Sequence, residues 1–92
     1  MPDIEKTLAE RGKRYGEYID QTEVTVDLHF VLMKRLGDKR HNTKSDQLDA
    51  LYMICVKLSR IVNGDPSYVD NWADIAGYAT LVARRLEGES ND

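Results

Sequence analysis

An all-α fold is what this sequence predicts, and two features carry that expectation. Two long segments in the C-terminal half place apolar residues at helical spacing between recognisable start and stop signals. The stretch joining them, from about Gly64 to Val69, is short enough to set them side by side as an antiparallel hairpin. The expected architecture is a small bundle of three or four helices ending in that hairpin.

The elements follow in chain order. Asp3 is placed to cap a short helix through about Glu10, with Ile4 and Leu8 as an i, i+4 apolar pair. Gly12 and Gly16 lie four apart in the basic stretch Arg11 to Gly16, which predicts a turn or a broken helix there. A second helix is expected from about Tyr18 or Thr22 to Leu36, with Gly37 as its stop, although the β-branched run Val24-Thr25-Val26 is also compatible with strand. The polar segment Gly37 to Asn42 reads as a loop.

The third helix, Ser45–Asn63, is capped by Thr43 or Ser45, and Thr43-x-x-Asp46 fits a capping box with Asp in place of Glu. Leu48, Leu51, Cys55, Leu58 and Val62 form its apolar face, with Ile54 and Ile61 beside it. The fourth, Asp70–Glu87, takes Asp70 as N-cap and buries Trp72, Ile75, Ala76, Ala79, Val82, Ala83 and Leu86. Gly77 within it suggests close approach of a neighbour, and Gly88 a stop. One domain over residues 1–88 and a disordered tail at 89–92 complete the organisation.

Composition excludes several classes. The formal charge of −3 argues against a nucleic-acid backbone binder but leaves room for a local basic cluster around a compact anion. The single cysteine, Cys55, lies in an apolar run and reads as a small buried hydrophobe; it forms no intramolecular disulfide and suggests no zinc site. No apolar run reaches the roughly 18–20 residues of a membrane span, and the N-terminus has no signal-peptide pattern, so a cytoplasmic protein is expected. A core this small, with Val24, Val26, Phe30 and Val31 unable to share one direction, points to a homo-oligomer.

Charged residues supply the candidate chemistry. Asp46/Asp49 and Lys57/Arg60 are i, i+3 pairs, and Asp70/Asp74 an i, i+4 pair, so the members of each share a helix face. A solvated face and ordinary capping explain these patterns as well as a site does. Arg11, Lys13, Arg14 and Tyr15 form one basic-aromatic cluster, and Lys57 with Arg60 a second. If the first packs on the third helix, the cations converge on phosphates. Trp72 fits the core stripe, whereas Tyr78 falls off it and is the exposed candidate for stacking on a base. Antiparallel packing should gather Asp49, Lys57, Arg60, Asp70 and Asp74 between the last two helices.

Asp46-x-x-Asp49, a gap of twenty-one residues, then Asn71-x-x-Asp74 resembles the acidic motif of the MazG-like all-α nucleotide pyrophosphohydrolases. That family uses Glu-x-x-Glu and Glu-x-x-Asp on antiparallel helices to hold magnesium. Here the positions of the first pair are both Asp, and one of the second pair is the uncharged Asn71. Two longer stretches resemble a family of small phage and prophage proteins of unassigned function grouped with the MazG-like fold. One is Leu8-Ala9-Glu10-Arg11-Gly12-x-Arg14-Tyr15-Gly16. The other runs from Lys57-Leu58-x-Arg60-Ile61-x-Asn63-Gly64-Asp65-Pro66 to Tyr68-x-Asp70-x-Trp72-x-Asp74-Ile75-Ala76-Gly77-Tyr78-Ala79.

The resemblance implies a MazG-like bundle in a phage accessory protein with a nucleotide-related role, and it supplies no activity. The expected function is recognition of a nucleotide or nucleotide-like second messenger, with Arg11, Arg14, Tyr15, Lys57, Arg60 and Tyr78 as the ligand contacts. If the ligand is also hydrolysed, Asp49, Asp70 and Asp74 would hold Mg2+. The alternative is a non-catalytic phage protein that binds and inhibits a host defence or regulatory protein through its carboxylates.

Overall fold

Asp3 starts the first helix as expected: its carboxylate accepts the Lys6 backbone N–H at 3.1 Å. The computed structural model describes residues 3–90 and contains four α-helices among them. They are α1 (Ile4–Tyr15), α2 (Tyr18–Leu36), α3 (Ser45–Asn63) and α4 (Val69–Ser90). No strand occurs among the described residues, so the β-branched run Val24-Thr25-Val26 is helical. None of the helices is long and apolar enough to cross a membrane.

The expected break at Gly12 does not occur. Helix α1 runs through it and ends only at Gly16, whose φ of 80° suits glycine. The cost of one internal glycine, about 1 kcal/mol, is offset by the Asp3 cap and by Lys13 and Arg14 against the C-terminal dipole. Gly37, at φ 54°, stops α2. The expected loop after it is a short 3₁₀ segment, Gly37–Asn42.

Helix α3 has the expected bounds but a different cap. Lys44 precedes its first turn and donates its N–H to the Gln47 side chain at 2.9 Å, while the Thr43 hydroxyl turns back to the Lys39 carbonyl. Helix α4 begins at Val69, which puts Asp70 inside its first turn. It also continues past Gly88 to Ser90, so the expected tail is helical at residues 89–90; Asn91 and Asp92 lie outside the described residues.

Helix α3 sits between α2 and α4, with α1 laid against its C-terminal end. A central helix buries more than one face, and what α3 buries is Ala50, Cys55, Lys57, Ser59 and Ile61. Leu58 and Val62, expected in the core, face outward. The inward side of α4 keeps only part of the expected stripe, Ile75 and Val82. Asn71 is fully buried, with Ile75, Tyr78, Val82 and Arg85 half-buried on the same side, whereas Trp72 is 53% exposed. Tyr78 is therefore the more sheltered aromatic, and the Trp72 indole N–H donates to the Pro66 carbonyl at 2.8 Å.

The molecule is long and thin, 49 × 28 × 27 Å. Its radius of gyration is 15.7 Å, against roughly 12 Å for a compact domain of this length. Much of the buried interior is polar: Gln21, Thr25, Lys57, Ser59 and Asn71.

Candidate functional site

Two glycines position the candidate site. A Cβ on Gly16 would land on the Asn63 carbonyl, and one on Gly64 would land on the Arg14 carbonyl. The ends of α1 and α3 thus cross at a backbone-to-backbone contact that side chains would prevent. The Asp65 N–H clasps the crossing by donating to the Arg14 carbonyl at 2.9 Å. This knuckle brings the last turn of α1 against the last turn of α3 and the start of α4.

Three arginines and two tyrosines meet there. The Arg60 guanidinium lies 4.5 Å from the Tyr15 ring centroid and that of Arg11 lies 5.2 Å from it. Arg14 stands 5.2 Å over Tyr68, and the two tyrosine rings meet edge-on at 6.1 Å. Cation–π contacts of this kind contribute about 0.5–1 kcal/mol each where exposed. They fix the guanidinium planes while leaving N–H edges for an anion. The Tyr68 hydroxyl donates to Asp70 at 2.9 Å, and that bond raises the pKa of the phenol.

Beside the knuckle lie two adjoining hollows that share Tyr18 and Gln21. The larger, about 540 Å³, is bordered by Arg11, Gly12, Lys13, Gly16 and Glu17 between α1 and α2. The smaller, about 220 Å³, is bordered by Thr22, Thr25, Tyr52 and Arg60 between α2 and α3. Together they carry the cations Arg11, Lys13 and Arg60 and the single carboxylate Glu17.

Gln21 and Thr25, which border the cleft, belong to a buried polar layer that also includes Ser59. Gln21 is 8% exposed, and its side-chain oxygen accepts a long bond from Arg60 Nε at 3.4 Å. Thr25 and Ser59 meet through their hydroxyls at 2.6 Å. Each hydroxyl also lies within bonding distance of a backbone carbonyl, that of Gln21 for Thr25 and that of Val56 for Ser59. Two protons serve three contacts, so one carbonyl bond gives way when the hydroxyls bond each other.

Of the residues expected to bind ligand, Arg11, Arg14, Tyr15 and Arg60 come together. Lys57 does not join them. It is buried on the α4 side of α3, where its Nζ pairs with Asp74 at 2.9 Å. The expected five-residue cluster between the last two helices is therefore not formed: Arg60 turns to α1 and α2, Asp70 bonds Tyr68, and Lys57 and Asp74 satisfy each other. Tyr78 is half-buried and borders neither hollow.

Asp49 is exposed, while its neighbour Asp46 is held by Arg85 through two bonds, one of them 2.6 Å long. Among the described residues no group of three or more His, Cys, Asp or Glu side chains is placed to hold a metal ion. Asp49, Asp70 and Asp74 are thus not assembled as a metal triad within one copy. Asn71, at a carboxylate position of the acidic motif, is 1% exposed, and neither polar atom of its side chain has a partner among the described residues.

Gln21 and Tyr68 were not singled out by sequence pattern as site residues. Gln21 is a polar residue on the inward side of α2, a position that apolar periodicity does not detect. Tyr68 stands within the second of the two longer signatures, directly after the Pro66 turn. Burial raises the Cys55 thiol pKa, consistent with an inert core residue.

No curated protein and no solved structure matches the chain. Residues 4–86 match a family described as a domain of unknown function, DUF6378, and the chain belongs to that family.

Proposed function

We propose that this protein binds a phosphate-bearing small molecule of the nucleotide class in the cleft between α1, α2 and the end of α3. One observation carries the reading: a chain of net charge −3 places Arg11, Lys13 and Arg60 around a cleft bordered by one carboxylate. Fixed guanidinium edges suit phosphate oxygens, and a lysine supplies a mobile point charge. Tyr18, exposed where the two hollows meet, offers a face for a base. The larger hollow falls within the roughly 300–1,000 Å³ typical of ligand pockets.

The resemblance to MazG-like helices and to small phage accessory proteins supports the same ligand class. Its acidic half carries less weight, because the acids and bases between α3 and α4 pair with one another. Asp49, Asp70 and Asp74 do not form a fitting Mg2+ site in this copy, so the proposal is binding. Mg2+ enters as a companion of the ligand's phosphates, and no hydrolytic step is assigned to these residues. A host protein as partner is the reading left if the cleft proves empty of function.

Isothermal calorimetry against nucleoside mono-, di- and triphosphates and pyrophosphate, with and without Mg2+, tests the proposal. Binding to wild type, weakened about tenfold or more by Arg60→Ala through loss of a charged hydrogen bond and little changed by Asp74→Ala, is the expected pattern. Absence of binding to wild type across the panel would overturn it.

A further inference from the structure

The chain exposes more surface than a monomer of its size should. Its accessible surface is 7007 Å², whereas a folded monomer of this mass exposes roughly 5,400 Å². The excess of roughly 1,600 Å² is larger than the roughly 800 Å² that each partner contributes to a standard interface.

Helix α2 holds the most regular part of that excess. Ile19, Val26 and Phe30 are 64, 64 and 65% exposed. Ile19, Val26 and the half-buried Met33 recur every seven residues with Phe30 beside them, the spacing of a helix–helix seam. One residue on from that stripe, Asp20, Asp27 and Lys34 also recur every seven and form one rim of it. The charges are segregated along the helix. Asp20, Glu23 and Asp27 occupy its first half, and Lys34 and Arg35 its last turn.

We propose that a second copy of this chain covers the stripe, with the two α2 helices antiparallel about a twofold axis near Val26. That arrangement sets Ile19 opposite the partner's Met33 and Lys34 beside the partner's Asp20, once on each side of the axis. A parallel pairing would instead set like charges together, which disfavours it. Glu23 and Asp27 are the unfavourable members: Glu23, seven residues before Phe30, lies between the stripe and its rim, and Asp27 lies near the axis beside the partner's Asp27. The self-complementary charge order selects a second copy over an unrelated partner. Val26 also borders the smaller hollow, so the partner's helix walls the cleft at that end. The pairing does not rest on the ligand reading and is tested without ligand.

Sedimentation equilibrium of the full chain, with circular dichroism to confirm unchanged helicity, tests the proposal. Wild type should sediment as a dimer. Val26→Glu should raise the dissociation constant on the order of 100-fold or more, because it buries two charges at the axis. Lys34→Glu should raise it about tenfold, and adding Asp20→Lys should restore it. Asp27→Asn should tighten the dimer about threefold by removing the like-charge contact. A monomeric wild type at several hundred micromolar would overturn the pairing. A dimer insensitive to Val26→Glu, or a charge swap that fails to restore association, would overturn the antiparallel α2 interface.

Discussion

Replacing Gly64 with alanine is the sharpest perturbation of the site's foundation. The residue's φ of −115° lies outside the left-handed region, so a left-handed backbone is not the obstacle. The new methyl would instead land on the Arg14 carbonyl and lie 2.5 Å from Tyr15 Cα. Both obstacles are backbone, so no rotamer change relieves them and the crossing must open. Overpacking of this kind costs about 1–3 kcal/mol, and the upper end applies to a backbone obstacle. Losing the Asp65-to-Arg14 hydrogen bond adds about 1 kcal/mol. The total, about 3–4 kcal/mol, acts on a helix that contains no buried residue of its own. Helix α1 should therefore detach while α2, α3 and α4 stay packed. Hydrogen exchange should show amides of α1 losing protection selectively in Gly64→Ala, with α3 amides little changed. Unaltered α1 protection would refute the argument that this knuckle holds the helix.

Three further outcomes follow from individual contacts. Asn71→Leu removes two unpartnered buried polar atoms and should leave stability in urea unchanged or raise it by about 1–2 kcal/mol, whereas Asn71→Asp should cost about 3 kcal/mol or more by burying an unpaired charge. Asp74→Ala leaves the buried Lys57 ammonium without its partner and should destabilise by about 1–3 kcal/mol, while the double variant with Lys57→Met should recover most of that loss in the same denaturation assay. The hydrogen bonds from Arg85 hold the Asp46 carboxyl below its ordinary 3.8, so the stabilisation is present above that pH and is lost as pH falls through the native value; the difference in Tm between wild type and Asp46→Asn should shrink toward zero as pH is lowered to about 2.

The bounds of α3 and most of α4 were legible because both combine an apolar stripe with flanking stop and start residues. Gly12 misled for a physical reason: a glycine's helix penalty is small beside a cap and two favourable helix ends. Ile75 and Val82 of the expected α4 stripe do turn inward, but hydrophobicity also picks Trp72 and passes over Asn71 and Arg85, which share that inward side. A thin bundle with a partly polar interior defeats pattern reading at such positions, since burial and hydrophobicity no longer coincide. The basic-aromatic cluster of Arg11, Arg14, Tyr15 and Arg60 was legible as composition, and the crossing at Gly16 and Gly64 supplied its geometry. The acidic cluster was not formed, because Lys57 and Arg60, three apart on α3, point to different neighbours.

The central claim is that the cleft at the end of α1 takes a phosphate-bearing ligand, and a heteronuclear NMR titration tests it most directly. Uniformly ¹⁵N-labelled protein titrated with a nucleoside triphosphate, with pyrophosphate as the base-free control, should show saturable shifts in the amides from Arg11 to Gln21 and around Tyr52 to Arg60. Pyrophosphate should move the residues around Arg11 and Lys13 and leave Tyr18 less affected than the nucleotide does. Shifts confined to the outer face of α4, or none at millimolar ligand, would contradict the account.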